Sequence, residues 1–373
     1  MKSSEISIER IEIYQSPVKL KKSFITSLGA LESAENVIIV LKTNNGITGF
    51  GECSPFMTIN GESMETCFVV AQYIAKVLKG KNPLNISECS SLMDRLIYGN
   101  SSIKSAFDIA LHDIAAQNDG MPLYKFLGGM NEKILITDYT VSIGDPDKMG
   151  IDAIKIKQEG FPVIKVKLGE NKEKDVERIQ KIRNAVGGEI PIRIDANQGW
   201  DVKTAIEILN SLSQYNIQFC EEPIPRWNFL ELHKIKNASP IPVMADESCC
   251  DHHDAKRLID LKACDMFNIK LGKSSGFFKA MKIIQLADEA GIKMQVGGFL
   301  ESRLGFTAAA HLALASKNIL FCDFDTPLMF TEDYVADGIS YESNGVIKLP
   351  GKHGLGASID IKYLNGLRQK AFF

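Results

Sequence analysis

The chain has 373 residues, 45% of them hydrophobic and 24% charged, with a formal net charge of −3. This is ordinary globular composition, long enough for a sizeable core and about two domains. The charge leaves no basic field for nucleic acid or anionic lipid, no window approaches about 18 apolar residues, and residues 1–17 lack an uninterrupted apolar run. A nucleic-acid partner, a membrane span and a secretion signal are therefore not expected; a small-molecule partner and a cytoplasmic location are.

Residues 6–13, 35–41 and 48–51 alternate as strands do, and Asn44-Asn45-Gly46 between the last two is a hairpin signal. Helical spacing follows over residues 64–78 and 101–117. In the second, Ala106, Ile109, Ala110 and Ile114 make one apolar face, with Asp108 and Asp113 elsewhere. Residues 1–125 thus read as an α+β capping domain. The 8 cysteines are dispersed without a C-x-x-C pair, so reduced thiols are expected, Cys249-Cys250 included. His112 and His252-His253 read as structural or solvated.

From residue 133 the rhythm becomes strand, helix, strand, helix. Candidate strands are residues 135–142, 163–167, 192–195, 218–221, 243–246, 266–270, 293–296 and 319–323, with amphipathic stretches such as 173–186 and 202–213 between them. Strict alternation implies parallel strands with right-handed crossovers. Closed on themselves, they give a (β/α)8-type barrel, a modified TIM barrel, over residues 126–324. Residues 325–373 lack the pattern and are expected to return to the capping domain.

Charges end these apolar runs in a fixed order: Lys165 and Lys167, then Asp195, Glu221, Asp246 and Lys270. Successive groups lie roughly 24 to 28 residues apart, the length of one βα unit, so all reach one rim. A single charge after a strand is usually solvated, but a series closing runs apolar enough to be buried marks a site. Alternation points Lys165 and Lys167 into the barrel mouth. Their mutual repulsion is expected to lower their proton affinity toward the range of a general base. Asp195, Glu221 and Asp246 are hard oxygen donors on adjacent strands, which suits Mg²⁺ and, without His or Cys, disfavours zinc. In Glu221-Glu222 and Asp246-Glu247 the first member of each pair is taken as the inward one. Lys270-Leu271-Gly272 echoes Lys167-Leu168-Gly169 across the mouth. Two lysines flanking a dication suit removal of a proton from one face of a carbon acid and its return to the other, a racemisation or epimerisation.

The K-x-K of Lys165 and Lys167, D-A-N-Q-G-W from Asp195 to Trp200, E-E-P from Glu221, A-D-E-S from Ala245 and N-I-K-L-G from Asn268 together resemble the enolase superfamily, muconate-lactonizing subgroup, over essentially the whole chain. Cys322-Asp323-Phe324-Asp325 sets a D-x-D after the eighth strand, similar to that of dipeptide epimerases. The resemblance implies one Mg²⁺ per subunit on Asp195, Glu221 and Asp246. It also implies an enediolate stabilised by that metal, with Lys167 and Lys270 exchanging acid and base roles at the α-carbon of the C-terminal residue. Lys165 would assist the substrate carboxylate, and Thr140 and Gly298 match substrate-contacting positions. Asp323 and Asp325, on one face by alternation, would take the free α-ammonium. An extended dipeptide has the span for both ends, and a free amino acid is too short. A homo-oligomer is the family expectation.

Loops over residues 16–28 and 53–62 cover the mouth in this family. Members specific for a Glu side chain carry an arginine where Gly29 stands here, and Phe24, Ile25, Phe56, Met57 and Ile59 make the lid apolar. Hydrophobic or aromatic dipeptides are therefore the expected substrates, with Lys19, Lys21 and Lys22 as the remaining candidates for pairing an acidic side chain in an L-Ala-D/L-Glu epimerase. An o-succinylbenzoate synthase, an N-succinylamino acid racemase or a muconate cycloisomerase would share the lysines and metal ligands but need no twin-aspartate pocket. A non-catalytic barrel binding metal and peptide would tolerate loss of a lysine, and both are present.

Overall fold

A computed structural model describes residues 6–130 and 133–373. The amino-terminal sheet is an antiparallel meander of Ile8–Thr26, Gly29–Thr43 and Thr48–Cys53, with Lys370–Phe372 added at its outer edge beside the first strand. The expected three strands are present, but the first two are much longer than their alternating cores. Residues 16–26, expected as a loop, are strand paired up to Thr26↔Gly29. Register shifts between Lys19 and Phe24, where the chain also meets the tail: Leu20 bridges Phe330 and Thr331 donates to the Lys19 carbonyl at 3.0 Å. A bulge of this kind bends the ribbon, and its tip reaches the barrel.

Period-two alternation explains why this sheet sits in the middle of the molecule. Val37, Ile39 and Leu41 pack with Cys67, Ile74 and Phe107 of the helices on one side, whereas Ile38 and Val40 belong to the core continuous with the barrel. Met64–Leu78 begins at a capping box in which Ser63 and Thr66 satisfy each other's backbone N–H groups. Ser101–Asn118 departs from the amphipathic reading, since residues 102–116 are all buried. It is wedged between sheet and barrel, so closely that a Cβ on Gly51 would stand 1.9 Å from the Ala106 carbonyl oxygen. Asp108 and His112 meet there at 3.1 Å as a buried pair.

The barrel strands, in order, are Tyr139–Val141, Ile164–Lys167, Ile192–Asp195, Ile217–Glu221, Val243–Ala245, Met266–Ile269, Lys293–Val296 and Ile319–Cys322. All neighbours pair in parallel, and a Thr137↔Cys322 bridge joins the first strand's approach to the eighth, closing the ring. The first strand is shorter than expected because Leu135–Ile136 leaves the barrel to pair with Val346–Lys348 of the tail. Side-chain caps start the outer helices, among them Asp145, Asn171, Asp201 and Asp251. The barrel floor is Phe219, Met244, Met266 and Phe321, with the Arg193 guanidinium over both phenylalanine rings and its Nη1 donating to Asp138 at 2.7 Å. Among the described residues no helix is long and apolar enough to cross a membrane.

Candidate active site

Numbering the barrel strands from one to eight, Lys167 ends the second and Lys270 follows the sixth, half a turn of the ring away. Asp195, Glu221 and Asp246 close the third, fourth and fifth, between the lysines, and Asp323 and Asp325 follow the eighth, opposite the fourth. Register aligns the ends, with Lys167 paired to Asp195 and Asp195 to Glu221. The three intermediate carboxylates are fully buried.

Each carboxylate rests against an ammonium. Lys167 Nζ lies 2.6 Å from Asp195, and Lys270 Nζ 2.7 Å from Asp246. Lys165 reaches across the axis to Glu221 at 2.8 Å, Asp323 at 2.7 Å and Asp195 at 3.3 Å. Burial alone would lower the lysines, but Asp323 and Glu221 outweigh it at Lys165, and Asp246 and Glu221 at Lys270, so both are raised above the usual lysine range. For Lys165 this is the opposite of the lowering expected from the repulsion of Lys167, because three carboxylates lie within 3.3 Å of its ammonium. Asp246 is held low by Lys270 and Lys273 against its burial, and Glu221, buried beside Asp195, is pushed up to about 7.

Glu222 turns away from this cluster through a left-handed backbone (φ 32°) and accepts hydrogen bonds from Asp246 N at 2.6 Å, Ser248 N at 3.2 Å and the Ser248 hydroxyl. Glu247 is also buried; Asn197 Nδ2 donates to its Oε1 at 3.3 Å, and its Oε2 has no hydrogen-bond partner among the described residues. The donor set is thus entirely hard oxygen, in a place already compensated by positive charge and with one unsatisfied carboxylate oxygen beside it. These residues fit a divalent cation of the Mg²⁺ type. Among the described residues no three carboxylates converge as a ready-made cage, since lysine ammoniums lie between them.

A cavity opens above this layer. Lys167, Lys270, Thr140, Gly298, Asp323 and Asp325 all line it, and Lys165 does not, its ammonium being drawn among the carboxylates. Each flanking ammonium is backed by a ring, Lys167 over Phe24 at 5.7 Å and Lys270 over Phe299 at 4.9 Å. Gly298 must lack a side chain, for a Cβ would stand 2.6 Å from Phe306. Thr140 N donates to Asp325 at 2.6 Å. Burial raises both aspartates, but Lys165 and Lys167 bring Asp323 down to about 2, while burial and the charge of Asp323 push Asp325 up to about 7. The roof is Phe24, Leu28, Phe56, Ile59 and Leu300. Lys21 donates to the Leu328 carbonyl at 2.8 Å and Lys22 lies 3.6 Å from Asp152, so neither points into the cavity.

Two supporting side chains were not anticipated. Asn268 Nδ2 donates to Glu221 Oε1 at 2.7 Å, and the wholly buried Lys273 ammonium contacts the Asp246 carboxylate at 2.5 Å and the Asn268 carbonyl at 3.0 Å. Both had a readable signal: Asn268 lies two residues before Lys270 on the same strand face, and Lys273 lies one helical turn after it.

Residues 9–128 match the mandelate racemase / muconate lactonizing enzyme N-terminal domain, and residues 149–363 the enolase C-terminal domain-like family. The chain is 59% identical over 362 residues to a D-Ala-D/L-Ala epimerase of Cytophaga hutchinsonii, covering 97% of this chain and 98% of that protein. It is 36% identical over 354 residues to a hydrophobic dipeptide epimerase of Enterococcus faecalis, covering 95% and 100%. The crystal structure of the Cytophaga hutchinsonii dipeptide epimerase complexed with Mg and D-Ala-L-Val matches with a TM-score of 0.97 at 58% identity, over 98% of this chain and 99% of that one. With both domain families matched in order and relatives aligned along nearly its whole length, the chain belongs to the mandelate racemase / muconate lactonizing enzyme family of the enolase superfamily.

Proposed function

We propose that this isomerase epimerises dipeptides at the α-carbon of the C-terminal residue, by a 1,1-proton transfer between Lys167 and Lys270, with one Mg²⁺ held by Asp195, Glu221 and Asp246. The observation that carries the reading is the distribution of charge around one cavity: carboxylates at strands three to five, a pair of aspartates after strand eight, and a lysine on each wall between. A zwitterion laid across the mouth presents its carboxylate to the first group and its ammonium to the second. Its α-carbon then lies between the lysines.

Asp323, held low, is ionised at neutral pH and Asp325, pushed up to about 7, is about half ionised beside it, so the pair offers net negative charge to an ammonium. Lys167 and Lys270 each hold or receive a proton at Nζ, one on each face of the reacting carbon. Mg²⁺, when bound, supplies electrophilic stabilisation of the negative charge that develops on the substrate carboxylate. The roof is apolar, and with Gly29 bearing no side chain it offers no cation for an acidic substituent, so an apolar C-terminal side chain fits best. Relatives support the same class: a dipeptide epimerase of Enterococcus faecalis is complexed with Mg and L-Leu-L-Tyr, and the Cytophaga hutchinsonii protein with D-Ala-L-Val. A homo-oligomer acting in the cytoplasm completes the proposal.

A second reading, racemisation of N-acylated amino acids, is favoured by 33% identity over 357 residues to an N-succinyl-L-Arg/Lys racemase of Bacillus cereus. The twin aspartates argue against it, since an acylated nitrogen brings no charge to them. The test of the two-base scheme is chiral chromatography of product formed by Lys167→Ala and Lys270→Ala. Each should lose epimerisation by at least about a thousandfold, within the range of a removed acid–base group, and should still exchange the α-proton of the one epimer that faces its remaining lysine. Epimerisation persisting near the normal rate in either variant would refute the scheme.

A further inference from the structure

The lid over the cavity is a short turn with very few attachments. Ile59 N and Asn60 N both donate to the Phe56 carbonyl, at 3.0 and 2.8 Å, which curls residues 56–60 and drives Phe56 and Ile59 down into the cavity while Met57 stays 70% exposed. The ends of the turn are anchored within the amino-terminal part of the chain and to the loop after the seventh barrel strand. Ser54 Oγ accepts from Leu300 N at 3.2 Å, and the buried Glu62 carboxylate accepts from Ser102 N at 2.8 Å and Ile103 N at 3.2 Å. Between those anchors the tip has two polar ties to the barrel. Arg226 Nη1 donates to the Ile59 carbonyl, and Asn60 Nδ2 donates to the Gly272 carbonyl at 3.2 Å as well as to Ser101 Oγ at 3.0 Å.

Both ties come from the catalytic rim. Arg226 stands a few residues beyond Glu221, with its backbone N–H held by Gln198 Oε1 at 3.1 Å, and Gly272 lies two residues after Lys270. Yet Arg226 itself is exposed, and among the described residues its guanidinium makes no hydrogen bond besides that to Ile59. An exposed guanidinium spent on a single lid carbonyl has one evident consequence: it sets how far Ile59 is inserted above the substrate.

We infer that Arg226 is a positioning residue, a latch that holds the lid turn closed from the loop after the fourth barrel strand and so governs substrate capture and the size of the accepted side chain, without taking part in proton transfer. This rests on the proposed dipeptide reaction for its kinetic consequence, but the latch itself is a property of the free protein. Opening requires only that the Arg226 and Asn60 ties break and that Phe56 and Ile59 leave the cavity, with Ser54 and Glu62 as fixed ends.

Two measurements on Arg226→Met and Arg226→Lys, both at an exposed position that folding does not depend on, test it. Hydrogen exchange followed by mass spectrometry on the full-length protein should show the amides of Ile59 and Asn60 exchanging about tenfold faster in the Met variant, the scale expected for one lost charge-assisted bond, with the Lys variant in between. Steady-state kinetics with an apolar dipeptide should show KM raised about tenfold in the Met variant, kcat within about twofold of normal, and partial recovery with Lys. Unchanged lid exchange in the Met variant would overturn the latch. Faster lid exchange with KM unchanged, or with kcat falling instead, would overturn its role in capture. Absence of dipeptide epimerisation in the unaltered protein would contradict the proposed reaction while leaving the exchange result to decide the latch.

Discussion

Lys167 and Lys270 line the cavity from opposite walls in matching surroundings. Each ammonium has a carboxylate within hydrogen-bond distance and an aromatic ring within about 6 Å. Their order was legible because each ends an apolar run at one period. The raised proton affinity of Lys270 was not, because it depends on a carboxylate less than about 3 Å away that spacing alone does not supply. Asp323 and Asp325 are separable by experiment. Asp323→Asn should raise KM for a free dipeptide about tenfold to a hundredfold, the worth of a charged hydrogen bond, and leave an N-acetylated dipeptide unchanged. An equal loss for both would mean that Asp323 acts on Lys165 rather than on a substrate ammonium.

At the scale of elements, one of the joins between the two parts of the molecule is a helix end. Glu52, in the third strand of the amino-terminal sheet, accepts from Ser302 N at 3.1 Å, Ser302 Oγ at 2.7 Å and Gly305 N at 3.0 Å, and so caps helix Arg303–Ala313 of the barrel from outside it. Asn36 and Tyr334 donate to its other oxygen at 2.9 and 3.1 Å. Four residues earlier, Gly298 lines the cavity, so the cap also fixes the wall beside Lys270. Replacing Glu52 with Ala strands several buried donors, and should cost about 3 kcal/mol, read as a lower urea midpoint at unchanged slope. A loss below about 0.5 kcal/mol, the size of an ordinary surface substitution, would show that the cap is dispensable. Nothing in sequence marks Glu52 for this task, since its partners lie some 250 positions away. Both helices, Met64–Leu78 and Ser101–Asn118, were readable from their spacing; the burial of the second on all sides was not, because its polar residues meet partners from elsewhere in the fold.

For the molecule as a whole, the barrel was legible because eight short apolar runs alternate with helical stretches, which admits few topologies. The lengths of the first hairpin were hidden, since residues 16–26 include Lys19, Lys21 and Lys22 and look like a loop until the tail and the barrel are present to pair with them. The tail itself divides its pairing, Val346–Lys348 with the chain entering the barrel and Lys370–Phe372 with the amino-terminal sheet. The assembled molecule brings a layer of buried carboxylates, two lysines and a pair of aspartates to one rim, and the reaction proposed for it has a direct readout. The purified protein is incubated with Mg²⁺ in D₂O and a panel of dipeptides and N-succinyl amino acids, and uptake of one deuterium at the α-carbon is followed by mass spectrometry. Uptake with inversion in free dipeptides bearing an apolar C-terminal residue, abolished by a chelator, is the expected result. Uptake confined to the N-succinyl amino acids would contradict the dipeptide reaction.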